Sequence, residues 1–137
     1  MTEKQCEVVM EAIHKKKNII AAGGTASGKT TFLNAILAEI SNLDERIITI
    51  EDTKELKCTA ENKVALTTTD TVDMDNLLRK TLRLSPNRIV VGEVRGKEAL
   101  ILIDAWSTGH RGVCSTVHSD SAQETLRYNA KKAAMML

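Results

Sequence analysis

Nine residues, Gly23, Gly24, Thr25, Ala26, Ser27, Gly28, Lys29, Thr30 and Thr31, read GGTASGKTT and follow the largely apolar run Asn18–Ala22. Glycines carry no Cβ, so consecutive backbone N–H groups can turn inward and approach phosphate oxygens. A helix starting near Lys29 adds the positive end of its dipole. Lys29 brings a mobile charge to β- and γ-phosphates, and the Thr30 hydroxyl can ligate Mg²⁺. Gly23-x4-Gly28-Lys29-Thr30 therefore meets the phosphate-loop pattern between a strand and a helix, where that pattern must stand. A glycine-rich turn that merely carries a lysine is the plainer alternative, and it leaves the strand–loop–helix context unexplained. Ala26 stands where another glycine could; its methyl is small, but it removes backbone freedom.

Phosphoryl transfer also needs a carboxylate for the metal, a group orienting the attacking water, and cations for developing charge. Glu51 and Asp52 follow the apolar run Ile47–Ile50, and Gly92, Glu93 and then Arg95 follow Ile89–Val91. Glu93 follows its strand as a Walker-B acid would, although Gly92 stands where Asp is more usual. Glu51 is the other candidate acid. His118, after Val113–Val117, could sense a γ-phosphate or be a structural histidine. Candidate cations are Arg79 and Arg83, four apart on one helical face, with Arg88 and Arg95 flanking the third strand. Each of these arginines taken alone reads more readily as a solvated surface charge. His110-x3-Cys114-x3-His118 has a superficial metal spacing, but His110 falls in a turn and no fourth ligand is evident, so zinc is set aside.

Alternating elements must position these residues. Cys6, Val9, Met10 and Ile13 recur at helical spacing, and that helix should fray in Lys15–Lys17. Asn18–Ala22, Ile47–Ile50, Ile89–Val91 and Val113–Val117 read as buried strands, with a short further strand at Val64–Thr67. Leu33, Ile36, Leu37 and Ile40 form a helical stripe, as do Met74, Leu77, Leu78 and Leu82, the latter closed by Ser85-Pro86. Ala99–Trp106 is apolar nearly all round, as in a helix buried between layers. Leu126, Ala130, Ala133, Ala134 and Leu137 predict a last helix. Unbroken apolar strands alternating with helices predict an α/β fold with a mostly parallel sheet and helices on both faces. Ligands to such a sheet sit beyond the carboxyl ends of its strands, where the phosphate loop, both acids and His118 would converge.

The 137 residues suffice for one domain with a real core. A net charge of +1 and a single Phe, Trp and Tyr each argue against direct nucleic-acid binding through bulk charge or base stacking. No apolar run approaches the roughly 20 residues of a membrane span, and the charged N-terminus lacks a signal-peptide core. Three cysteines without framework spacing read as reduced thiols of a cytoplasmic protein.

Four stretches together resemble the secretion ATPase superfamily. GGTASGKTT (23–31), RIITIEDTKEL (46–56), RIVVGEVRGKEAL (88–100) and TGHRGVCSTVHSDSA (108–122) look like its Walker A, Asp, Walker B and His boxes in order and spacing. TTDTVDMDNLLRKTLRLSPNRIVVGEVRG looks closest to the conjugal-transfer and type IV secretion branch. The resemblance covers nearly the whole chain. It implies a RecA-like P-loop NTPase motor core over residues 1–137, Mg-dependent ATP hydrolysis, and a homo-hexameric ring. It further implies a peripheral location at the cytoplasmic face of a bacterial inner membrane, with inner-membrane secretion or conjugation components as partners. Lys29 and Thr30 match the Walker A pair, Glu51 the Asp-box glutamate, Glu93 the Walker B glutamate and His118 the His-box histidine. Arg79, Arg83 and Arg95 match arginines found near the phosphates. Two departures stand out: Ala26 replaces a glycine of GGTGSGKTT, and HSDSA stands where HANSA is usual. The N-terminal domain and C-terminal helices of family members have no counterpart in residues 1–137.

The leading expectation is thus an ATPase energising type IV secretion, conjugative transfer or related macromolecular transport. The alternative is a nucleotide-binding module with little or no turnover. A small-molecule P-loop kinase would leave three of the four boxes unexplained, and a helicase is disfavoured by the charge and the scarce aromatics. Without the domain that supplies much of the ring interface in the family, the chain alone is expected to be monomeric or weakly associated.

Overall fold

Short apolar strands can be buried on both faces only if helices cover both, and the connections decide which helix covers which. A computed structural model of the chain, describing residues 1–119, 121, 123–125 and 127, shows that arrangement. Five parallel strands, β1 (Ile19–Gly23), β2 (Ile47–Glu51), β3 (Lys63–Thr67), β4 (Arg88–Val94) and β5 (Cys114–His118), lie in the order β1-β5-β4-β2-β3. From β1 the chain crosses to β2 through helix α2 (Lys29–Ile40) and moves outward to β3. It returns through α3 (Met74–Thr81) to β4 and through α4 (Glu98–Ser107) to β5. Right-handed crossovers in opposite directions must place their helices on opposite faces.

The core divides accordingly. Ile48, Ile50, Ile89 and Val91 pack with Met74 and Leu78 of α3 and Ala99, Ile101 and Leu102 of α4. Ile47, Val90 and Cys114 pack on the other face with Leu33, Ile36, Leu37 and Ile40 of α2 and Ile13 of α1 (Glu3–His14). Ala60, from the β2–β3 connection, joins this second layer. β3 alternates exposed and half-buried residues, as an edge strand with one covered face should.

Three local readings are corrected. β4 continues through Gly92 and Glu93 to Val94, so Glu93 lies within the strand rather than beyond it. α3 ends at Thr81, short of Ser85-Pro86, and the left-handed Ser85 (φ 52°) makes the turn that follows. In α4 only one side is buried, since Asp104 faces solvent. The last helix, over Leu126, Ala130, Ala133, Ala134 and Leu137, lies outside the described residues.

Arg88 is neither a solvated charge nor a phosphate ligand. It opens β4 at the end opposite Glu93 and is 1% exposed. Its Nε donates to Glu45 Oε2 at 2.5 Å and its Nη2 to the Ile13 carbonyl at 2.8 Å, so it binds the C-terminal turn of α1 to the sheet. Lys16 completes the cluster against Glu45 at 2.5 Å. Burial opposes ionisation of Glu45, but the hydrogen bonds from Lys16 and Arg88 outweigh it and hold the carboxyl below its ordinary value. Gly112 (φ 75°) passes so close that a Cβ would stand 2.9 Å from Arg88 Cδ.

Candidate functional site

β1 ends at Gly23 and α2 begins at Lys29; the residues between wrap into a loop at the carboxyl edge of the sheet. Gly23 is fixed by crowding, since a Cβ there would come 2.5 Å from Ser27 Oγ. Gly28, at φ 85°, caps α2 from the left-handed region, where glycine alone is unstrained. No side chain caps α2, and its first turn has no acidic residue, so the helix end presents its N–H groups and positive dipole to an anion. Lys29 Nζ folds back onto the Gly24 carbonyl at 2.6 Å, keeping the charge at the loop mouth. Ala26 also holds a positive φ, 58°, a conformation that strains any residue with a Cβ.

A cleft of about 550 Å³ opens over this loop, and Thr25, Ala26, Lys29 and Thr30 form its floor. Gly23, Gly24, Ser27, Gly28 and Thr31 do not line it, and Ser27 and Thr31 are exposed. Glu51, Glu93, Arg95 and His118 complete the other walls, so three strand ends and the loop are brought together. His118 ends β5 opposite Gly23 in register, and its side chain is exposed. β5 lies between β1 and β4, which puts the histidine between the phosphate loop and Glu93.

A one-residue irregularity aims Glu93. Val91 pairs with Ser115 but Val94 with Val117, so β4 spends three residues where β5 spends two. Simple alternation would put Val91 and Glu93 on one face; the extra residue instead returns Val94 to the α3–α4 core and turns Glu93 toward the phosphate loop. Gly92 belongs at this bulge because a Cβ would meet Glu51 Cβ at 3.2 Å. Thr116 Oγ1 donates to the Gly92 carbonyl at 2.7 Å, which secures the bulge.

The two acids are held differently. Glu51 is 5% exposed, and its Oε2 accepts from the N–H groups of Leu56 (2.8 Å) and Glu55 (3.1 Å). Asp52 is exposed and accepts from Thr68 Oγ1 at 3.0 Å. Glu93 Oε2 takes Arg95 Nε at 2.6 Å and a second contact from Nη2. The hydrogen bond and charge of Glu93 raise the already high pKa of Arg95 further, so this guanidinium stays charged. Arg95 is aimed by its own turn, where Glu98 Oε1 accepts from the N–H groups of Arg95 (2.5 Å) and Gly96 (2.6 Å).

Arg79 and Arg83 are not brought to this cleft. Arg79 is exposed on α3, on the face opposite α2, with Asp75 at 3.7 Å as its partner. Arg83 is exposed beside Leu84, whose carbonyl accepts from Arg46 at the amino edge of β2, the far side of the sheet from the loop. Since α3 ends at Thr81, Arg83 lies beyond the helix, and the single helical face expected to carry both arginines does not form.

The residues present suit a magnesium ion held jointly with phosphate. Thr30 and Glu93 offer oxygen donors in the cleft, while no group of three or more His, Cys, Asp or Glu able to hold a metal occurs among the described residues. Mg²⁺ is commonly bound by one or two protein oxygens, with substrate phosphates and water supplying the rest.

Comparisons with known proteins agree with this geometry. A family model described as "Type II/IV secretion system protein" matches residues 1–129. A conjugal transfer protein TrbB of Rhizobium radiobacter is 53% identical over 129 residues, covering 93% of this chain and 40% of its own length. The VirB11 ATPase of the Brucella suis type IV secretion system, solved with sulphate, superposes with a TM-score of 0.87 at 37% identity, covering 93% of this chain and 38% of that one. The pilus retraction motor PilT with bound ADP superposes with a TM-score of 0.76 at 27% identity, covering 96% of this chain and 38% of that one. The chain thus spans about two fifths of the length of these relatives.

Proposed function

As the chain belongs to the Type II/IV secretion system protein family and has the RecA-like fold of its solved relatives, we propose that it binds ATP with Mg²⁺ in the cleft above Gly23–Thr31 and hydrolyses it. The energy would drive type IV secretion, conjugative transfer or related macromolecular transport. The observation carrying this reading is the convergence of Lys29, Thr30, Glu51, Glu93 and His118 on one cleft from the loop and three strand ends. Sulphate in the VirB11 crystal and ADP in PilT are anions of the kind such a loop accepts.

Lys29 exchanges the Gly24 carbonyl for β- and γ-phosphate oxygens, and the uncapped end of α2 takes the phosphate charge between them. Thr30 and Glu93 would hold a magnesium ion, which would supply charge neutralisation to the bound phosphates. Glu51 orients the attacking water, whose oxygen bonds to the γ-phosphorus as the bond to the β,γ-bridging oxygen breaks. His118 senses the γ-phosphate, and Arg95, freed from Glu93, offers its charge to the departing phosphates.

A ring of six chains at the cytoplasmic face of a bacterial inner membrane, in contact with secretion or conjugation components and without direct contact to nucleic acid, is the setting proposed for the full-length protein. No helix among the described residues is long and apolar enough to cross a membrane. A second reading, binding without useful turnover, is favoured by the Arg95 guanidinium resting on Glu93.

Calorimetric titration with ATP and Mg²⁺, paired with steady-state hydrolysis, tests both readings. Lys29→Ala should weaken ATP binding about 10- to 150-fold, the loss expected for a charge-assisted contact worth about 1.5–3 kcal/mol. Turnover above the Lys29→Ala background supports the ATPase; tight binding without turnover supports the module; unchanged affinity of the variant removes the loop as the phosphate site.

A further inference from the structure

We infer that Asn34 is a positioning residue of this cleft: its side-chain amide ties the helix that carries Lys29 and Thr30 to segment 52–57, and through that segment holds the Glu51 carboxylate. The inference rests on the proposed ATPase reading for its kinetic consequence and on geometry alone for its structural one.

Asn34 lies four residues after Thr30, so both occupy one face of α2. Its Nδ2 donates to the Glu55 carbonyl at 3.1 Å, and its Oδ1 accepts from the Lys57 N–H at 2.8 Å. A helical asparagine ordinarily bonds its own neighbourhood; these two contacts reach 21 and 23 residues away. The amide presents one donor and one acceptor to an extended stretch, as a neighbouring strand would. From the other side Glu51 Oε2 takes the N–H groups of Glu55 and Leu56.

Two side chains therefore satisfy three successive N–H groups, while residues 53–58 make no main-chain hydrogen bond with one another or with the rest of the described residues. Asp52, Thr53, Glu55 and Leu56 of this stretch form a wall of the cleft. Removing Asn34 leaves the Lys57 N–H and the Glu55 carbonyl without their partners. The wall then loosens as a unit, and Glu51 loses the fixed donors that hold its carboxylate.

Residue-resolved amide exchange on the 137-residue chain without nucleotide tests the structural half. Asn34→Ala should speed exchange about 10-fold at Glu55 and Leu56 as well as at Lys57, because the stretch opens together. Acceleration confined to Lys57 would overturn the inference. Asn34→Asp, which keeps the acceptor for Lys57 and loses the donor to Glu55, serves if the alanine variant fails to fold, with about 3-fold acceleration at the same amides expected.

Steady-state turnover on Asn34→Ala, Glu51→Gln and the double variant tests the kinetic half. Asn34→Ala should lower kcat about 10-fold with KM held within about 2-fold, and should lower kcat less than about 2-fold further in the Glu51→Gln background. Equal losses in both backgrounds, or an unchanged kcat, would show that Asn34 does not act through Glu51. Absence of wild-type turnover above Lys29→Ala would sink the ATPase reading instead, and the exchange measurement still decides the role of Asn34.

Discussion

At the scale of single residues, the two acids of the cleft differ in what holds them, and substitution should separate them. Glu93 is partnered by a guanidinium whose side chain is 68% exposed, so the pair adds little stability. Glu93→Gln should shift unfolding by less than about 1 kcal/mol while lowering turnover about 100-fold or more and leaving ATP affinity within a few-fold. Denaturation, calorimetry and steady-state rates check the three parts, and wild-type turnover in the variant would exclude Glu93 from the site. Ala26 offers a test of the loop itself. Relief of a left-handed alanine is worth about 1–2 kcal/mol, and the greater freedom of glycine in the unfolded chain takes back about 0.4–1 kcal/mol. Ala26→Gly should therefore be neutral to stabilising, by about 0–1.5 kcal/mol in urea unfolding. A clear loss of stability would contradict the strained geometry. The sequence made Lys29, Thr30, Glu51 and His118 legible, because each follows an apolar run that a parallel sheet must end. It could not show Asn34 or Thr116, since a single amide or hydroxyl inside an apolar stripe looks like any other helix or strand residue.

Among the elements, β4 does two jobs at its two ends: Arg88 anchors α1 and Glu93 faces the cleft. Pattern reading found the strand but missed both devices. A charged residue beside an apolar run reads as solvent-facing, yet the Arg88 guanidinium is buried against the Glu45 carboxylate and the Ile13 carbonyl, which accept from its Nε and Nη2. The bulge at Gly92 was equally hidden, because it depends on the partner strand rather than on β4. Arg79 and Arg83 do not line the cleft, and helical spacing could not foresee this, since it gives neither the sheet edge a helix approaches nor its end at Thr81. The Arg88 cluster carries a pH dependence. Glu45 has a folded pKa below its unfolded value, so its stabilisation is fully present above about pH 4.5 and is lost as pH falls through the folded pKa. Glu45→Gln should cost about 1.5–3 kcal/mol near neutrality, and the gap to wild type should shrink below pH 4.5. Thermal or urea unfolding between pH 3 and 7 would reveal it; a gap independent of pH would mean the carboxylate is not charged against Arg88.

On the scale of the whole molecule, α2, α3 and α4 spend their apolar faces on the two core layers, whereas α1 buries only Ile13. Among the described residues, the large hydrophobics left exposed are Met1, Val8, Met10 and Leu84, of which three lie on or beside α1 and Leu84 after α3. A closed ring needs heterologous faces burying on the order of 1,000 Å² or more in total. The 137-residue chain should therefore sediment as a monomer or a weak associate at micromolar concentration, with and without Mg-ATP. A stable hexamer would show that this core holds the ring interface unaided. The strand order has a consequence in time as well as in space. Among the described residues β1 pairs only with β5, and Asn18 Oδ1 accepts from the Val113 N–H, 95 positions further along the chain. Until that late strand arrives, the strand leading into the nucleotide loop has no sheet neighbour and leans on α2 alone. Closing so long a loop is entropically demanding and slow relative to local contacts. During synthesis, then, the loop's sequence leaves the ribosome well before its sheet neighbour, and a firm grip on phosphate must wait until β5 has emerged as well.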